Sequence, residues 1–249
     1  MTTATVRPDS WIRRYHQGPA DRPRLVCFPH AGGSASFFFP VSRALSLVAE
    51  VCAVQYPGRQ ERRSEPAVPS VHRLADDIAT VLAAAPQRPT VLFGHSMGAA
   101  VAFEVAHRLE RVHDRPPTHL VVSGRRAPDR IRGPWLHRLP DADIVAELRR
   151  LSGTDDRLLE DPDVLRMILP ALRSDYRAIE TYRMSPGAVL RCPVTVLTGD
   201  SDPHVTADEA EGWLSYGTDP GRVRTFTGGH FFLLDHSDEV LNELRTALA

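Results

Sequence analysis

The sequence predicts an α/β fold: a mostly parallel central sheet with helices on both faces and one helical insertion. Three observations predict it. Short runs rich in Val and Leu alternate with longer amphipathic stretches, as parallel strands joined by crossover helices require. A glycine-flanked serine, Ser96, stands between one such run and a helical stretch. From about Arg130 to Tyr182 the alternation gives way to helical spacing alone, over a longer interval than the dozen or so residues a crossover needs.

The strand candidates are Arg24–Phe28, Val51–Gln55, Thr90–Phe93, His119–Ser123, Pro193–Thr198 and Val223–Phe226, six in all. Between them Val71, Leu74, Ala75, Ile78, Val81 and Leu82 recur as one apolar stripe after a Ser70 cap. Ala99 to Leu109 and Val240 to Leu248 read as further helices. Inside the long interval Ile144, Val145, Leu148 and Leu151 share one face, and Val164, Leu165, Ile168 and Leu169 a second. Leu172, Tyr176, Ile179 and Tyr182 share a third, expected to begin after Pro170. Such an excursion covers a site or forms a small subdomain. The reading is therefore one domain over residues 1–249 with a helical lid at about 130–184, large enough to bury roughly 70–75% of the unfolded surface.

Composition excludes several functions. The net charge of −1 gives no global pull toward nucleic acid or an anionic membrane. Every basic residue is Arg and none is Lys, so a lysine nucleophile, Schiff base or P-loop lysine is impossible. Cys27, Cys52 and Cys192 are far apart, lack zinc-ligand spacing and read as buried reduced thiols. The first residues lack a signal-peptide core and no stretch approaches 18 apolar residues, so a cytoplasmic, soluble protein without membrane contact is expected.

Chemistry concentrates in a few motifs. Gly94-His95-Ser96-Met97-Gly98 follows an apolar run and precedes a helix, the setting G-x-S-x-G requires. A nucleophile on a sharp strand-to-helix turn needs small residues on both sides, because a Cβ there would strike the neighbouring strand or helix. The turn also aims the first helix amides at developing negative charge. A serine needs a base. His230, in the Gly-rich loop Thr227 to Phe232 after the last strand candidate, is favoured over His236, which reads as a helix-start residue, and over His95, which reads as packed beside the sheet. For the orienting carboxylate, Gly199-Asp200-Ser201-Asp202 offers two candidates; the spacing picks Asp202, with Asp200 expected to accept turn amides. The order Ser96, Asp202, His230 matches that of α/β hydrolases. Oxyanion donors are expected from Met97 N–H and from Ala31 N–H, in the loop Phe28-Pro29-His30-Ala31-Gly32-Gly33.

With these residues assembled the chain resembles the external, type II thioesterases that accompany modular polyketide and non-ribosomal peptide synthases. The resemblance covers nearly the whole length. It rests on the Phe28–Gly33 loop, on Gln55-Tyr56-Pro57-Gly58-Arg59 with Arg62 and Arg63, on the serine motif, on Gly199–Asp202 and on Gly228-Gly229-His230-Phe231-Phe232. It implies an α/β-hydrolase fold with a mobile helical lid, and hydrolysis of stalled or aberrant acyl units from the phosphopantetheine thiol of an acyl or peptidyl carrier protein. No metal or other cofactor is needed, and a monomer is expected. Two arginine clusters offer a docking face for an acidic carrier: Arg59, Arg62 and Arg63, and Arg125, Arg126, Arg130 and Arg132. Plain solvated charge is the competing explanation. Trp135, Leu136, Tyr176 and Met184 offer walls for an acyl tunnel, with helix packing as their competing role. The alternative functions are a carboxylesterase or lipase on free esters, a medium-chain fatty acyl carrier-protein thioesterase, and a non-catalytic carrier-binding protein.

Overall fold

The computed structural model describes residues 8–19, 21–133, 135–153 and 156–249. Its seven strands are β1 (Ile12–Arg13), β2 (Arg24–Phe28), β3 (Glu50–Val54), β4 (Thr90–His95), β5 (His119–Ser123), β6 (Pro193–Gly199) and β7 (Thr218–Phe226). They form one sheet in the order β1-β3-β2-β4-β5-β6-β7, parallel throughout except for β1 against β3. The helices are α1 (Pro8–Trp11), α2 (Phe39–Leu45), α3 (Val71–Ala84), α4 (Met97–Arg111), α5 (Asp141–Leu151), α6 (Asp156–Glu160), α7 (Pro162–Glu180), α8 (Ala207–Glu211), α9 (Phe232–Asp235) and α10 (Ser237–Leu248).

Alternation along each strand builds two cores. Leu25 and Cys27 on β2, with Val91 and Phe93 on β4, face one layer with Leu45, Val240 and Leu244. Val26, Phe28 and Leu92 face the other, against Leu74, Ile78, Val101 and Phe103 of α3 and α4. A strand buried on both faces reads as a continuous apolar run, which is why β2, β4 and β5 were legible. Ser70 caps α3 by accepting from Arg73 N at 3.3 Å. All three cysteines are free and buried.

Four elements differ from expectation. The two-residue β1 is too short to leave a periodic signal; it adds an antiparallel edge, with Ile12 opposite Val54. The second strand is Glu50–Val54, leaving Gln55 outside the ladder and free to use its side chain. The last strand starts at Thr218, well before Val223, and runs through Pro220 and Gly221 with an irregularity in its pairing to β6. Pro is tolerated there because this is the sheet edge. The break expected at Pro170 does not occur: Pro170 lies inside the continuous α7. An internal proline removes one helical hydrogen bond, yet Leu169, Leu172 and Tyr176 keep one buried face across it. Together with Leu136, Ile144, Val145 and Leu159 they form a third, separate core over the sheet's C-terminal end.

Candidate active site

The carboxyl ends of β4, β5, β6 and β7 meet under the helices of that third core. Ser96 links β4 directly to α4 and takes φ 54°, ψ −118°, strained for a residue with a Cβ. The strain is enforced from both sides. A Cβ on Gly94 would stand 2.2 Å from Gly98 O, and one on Gly98 would stand 2.0 Å from Phe28 O. Ser96 N donates to Ser123 O at 2.8 Å, tying the turn to the end of β5.

After β6 the chain turns so that Asp202 and His230 meet. Asp202 Oδ2 lies 2.8 Å from His230 Nδ1, and both side chains are buried. A carboxylate can only accept, so Nδ1 donates and Nε2 is left as the acceptor for a serine proton. Asp202 Oδ1 accepts from His204 N at 2.8 Å, which fixes the carboxylate plane. Asp200 accepts instead from Gly228 N at 3.0 Å and from Ser201 Oγ at 2.9 Å, as a turn residue. His236 sits at the start of α10, contacting Glu239 and Thr227. His95 is fully buried beside Ser123, 3.0 Å from its Oγ.

Ser96, His230, Met97 and Ala31 line one cavity of about 260 Å³. Ser96 makes no hydrogen bond to His230 in this conformation, and such catalytic contacts often tighten only with substrate bound. Met97 is the first residue of α4, so its N–H has no partner within the helix. Ala31 N–H meets no protein acceptor among the described residues. Three further imidazoles cluster at His230: between ring centres His95 lies 5.0 Å and His204 5.3 Å from it, and His30 lies 5.9 Å from His95. Burial, then the neighbouring His230, hold His30 and His95 below the usual histidine range, His30 down to about 3. His30 and His95 are therefore neutral at neutral pH.

The loop carrying Ala31 is braced by residues whose role the sequence did not reveal. Gln55 Oε1 accepts from Ala35 N at 2.9 Å, and Tyr56 OH donates to Pro29 O at 3.2 Å. Arg59 donates to Gly33 O at 3.0 Å and, through both Nη atoms, to Asp175 of α7 at 2.7 and 2.8 Å. Asp175 also accepts from Gly32 N at 2.8 Å. Arg59 and Arg62 are therefore buried structural residues, Arg62 being held by Glu65 and Gln55 O, and they correct the expectation of a docking cluster there. Arg125, Arg126, Arg130 and Arg132 do line the cavity together, with Arg126 buried and Arg130 and Arg132 also exposed to solvent. Leu136 and Tyr176 line the cavity, whereas Met184 packs against the main core and Trp135 stacks with Arg138.

A parallel sheet with a strained serine elbow and a buried Asp–His pair beyond it defines an α/β hydrolase of the serine-hydrolase type. The thioesterase domain family matches residues 23–248, and the chain belongs to that family. It is similar to a probable cadicidin biosynthesis thioesterase of Streptomyces griseus, 54% identical over all of this chain and 68% of the relative. It is likewise similar to the thioesterase PikA5 of Streptomyces venezuelae, 48% identical over 98% of this chain and 88% of that one. Among solved structures the type II thioesterase BorB of the borrelidin biosynthetic cluster superposes with a TM-score of 0.91, at 48% identity, covering 97% of this chain and 98% of that chain. Among the described residues no helix is long and apolar enough to cross a membrane.

Proposed function

We propose that this thioesterase hydrolyses acyl groups from the phosphopantetheine thiol of an acyl or peptidyl carrier protein, clearing stalled or aberrant units during polyketide or non-ribosomal peptide synthesis, and that it acts as a cytoplasmic monomer. Ser96 Oγ attacks the thioester carbonyl while His230 Nε2 takes its proton. Asp202 holds the imidazole in the required tautomer and stabilises the imidazolium. The tetrahedral oxyanion forms against Ala31 and Met97 N–H, donors worth about 2.7–4 kcal/mol each when removed from such sites. Collapse breaks the C–S bond and His230 returns the proton to the departing thiolate. The freed imidazole then activates water, which attacks the acyl-Ser96 ester and releases the acid.

The observation that supports this most is the His230–Asp202 bond at 2.8 Å, buried at the wall of the same cavity that Ser96 lines. The helices of the third core act as a lid and supply apolar lining suited to an acyl group. The test compares turnover of an acyl carrier-protein thioester with that of a p-nitrophenyl ester of the same acyl chain. Preference for the carrier thioester is expected; a large preference for the oxygen ester would replace the reading with a carboxylesterase.

A further inference from the structure

The cavity that Ser96 lines has two chemically different kinds of lining. α5, α6 and α7 contribute Leu148, Leu151, Leu158, Val164 and Ile168. The segment after β5 contributes Arg125, Arg126, Arg130 and Arg132. Against these four guanidinium groups the lining holds one carboxylate, Glu180. That carboxylate is already occupied by Leu136 N at 2.6 Å, His137 N at 3.1 Å and the His137 ring.

The four arginines are not equivalent. Arg130 lies 3.6 Å from Asp129; Arg132 lies 3.5 Å from Glu209 and donates to His204 O at 3.0 Å. Among the described residues the guanidinium groups of Arg125 and Arg126 have neither an ion pair nor a hydrogen bond. Arg126 is only 6% exposed, and its Nη1 is buried without an acceptor. A buried cation with no counter-charge in contact is unfavourable, and proteins almost always pair it. Burial, reinforced at Arg125 by Arg126 and at Arg126 by Arg132, lowers the pKa of both groups, and the more distant carboxylates Glu180, Glu209 and Asp202 offset it only in part.

Their place in the chain sets them beside the reacting centre. A Cβ on Gly124 would lie 3.4 Å from His230 Cε1, and Ser123 O holds Ser96 N. The Cα atoms of Arg125 and Arg126 follow Gly124 within about 3.8 and 7.6 Å. A single bound thioester therefore reaches both Ser96 and these side chains. Resting on the thioesterase reading above, we propose that Arg125 and Arg126 form an anion subsite that takes an oxyanion group carried by the thioester substrate. Two groups supply that chemistry, the phosphate of the pantetheine arm and a carboxylate at the end of the acyl chain, and both suit a guanidinium fork.

Three thioesters distinguish them: butyryl-pantetheine, butyryl-4′-phosphopantetheine and succinyl-pantetheine. In the wild type one charged thioester should exceed the neutral one in kcat/KM by about 10- to 100-fold, the range expected of hydrogen bonds to a charged group. In Arg126→Gln, and further in the Arg125→Gln/Arg126→Gln pair, that ratio should fall toward one, with Arg126→Lys retaining part of it. Loss on the phosphorylated arm assigns the phosphate, and loss on the succinyl thioester assigns the carboxylate. A charged-to-neutral ratio that is the same in wild type and variants overturns the subsite. Failure to hydrolyse any thioester would count against the thioesterase reading instead. The subsite is then judged by calorimetric titration with 4′-phosphopantetheine and with succinyl-pantetheine, each against pantetheine. Binding of one charged ligand should be tighter in the wild type and equal to pantetheine in the double variant; no charge preference in the wild type overturns it. Thermal melting establishes that each variant is folded.

Discussion

The sheet wall and the helical wall of the cavity are held by different forces. On the sheet wall, Gly94, Gly98, Ser123, Asp202 and His230 are fixed by strand register, backbone hydrogen bonds and contacts so close that a single added carbon has no room. The helical wall has its own small core and leaves Leu158 and Met167 49% and 63% exposed. It is joined to the rest by apolar packing of Ala178, Ile179 and Tyr182 in the main core and by polar clasps. Arg59 grips Asp175; buried Glu104 accepts from Tyr182, Ser185 and Arg108; Glu147 meets His204 at 2.7 Å. The proposed triad thus rests on local covalent and backbone constraint, while the helical wall adds long-range polar contacts that can be removed one at a time.

The largest effect should come from the sheet wall. Asp202→Asn keeps the shape but leaves His230 in the wrong tautomer, and kcat should drop by about 10⁴, as for the equivalent change in serine proteases. Turnover within tenfold of wild type would separate Asp202 from the reaction. Next come the clasps. Asp175→Asn strands the buried Arg59 guanidinium, and losing one partner of such a pair typically costs about 3–5 kcal/mol. Chemical denaturation should register it, and kcat should fall as well, because Gly32 N and the Arg59 guanidinium must then compete for one amide oxygen, loosening the Ala31 loop. If stability falls without kcat, the clasp supports only the fold.

Gly98→Ala sets a methyl against Phe28 O and should cost about 3 kcal/mol, the upper end for overpacking, since backbone atoms cannot move aside. Its counterpart is Gly133, at the cavity's other wall, where a Cβ meets nothing within 4 Å. Gly133→Ala should stay within about 0.5 kcal/mol. Equal losses at the two glycines would erase the contrast between the walls. A smaller effect should appear in acid. Burial alone would raise the Glu147 carboxyl, but His204 and Arg150 bring it from 4.5 down to about 2. A depressed folded value adds stability above the unfolded pKa and loses it as pH falls from about 4.5 through 2. Glu147→Gln should flatten that part of the melting-temperature profile; an unchanged slope would show that other carboxylates set it.

The same division explains what could be read from the sequence. G-x-S-x-G, the spacing that chose Asp202 and the Gly-rich loop of His230 are local patterns with one steric solution, and strands buried on both faces announce themselves. The arms of the clasps carry no such mark. Asp175 lies 116 positions from Arg59, on a helix face that reads as ordinary amphipathic surface. Arg59 and Arg62, which read as exposed charges in the sequence, are internal donors. Pro170 misled because a proline weakens a helix locally, whereas the apolar face that decided the outcome continues past it. The Arg125–Arg126 pair was visible as charge, but only the fold turned it inward.

The most direct measurement is active-site labelling with a fluorophosphonate, followed by peptide mass spectrometry and run beside turnover of an acyl carrier thioester. A serine made nucleophilic by His230 predicts one adduct, on Ser96, with both label and turnover lost in Ser96→Ala. Retention of turnover by Ser96→Ala, or an adduct on a different side chain of a folded and active wild type, would contradict the account.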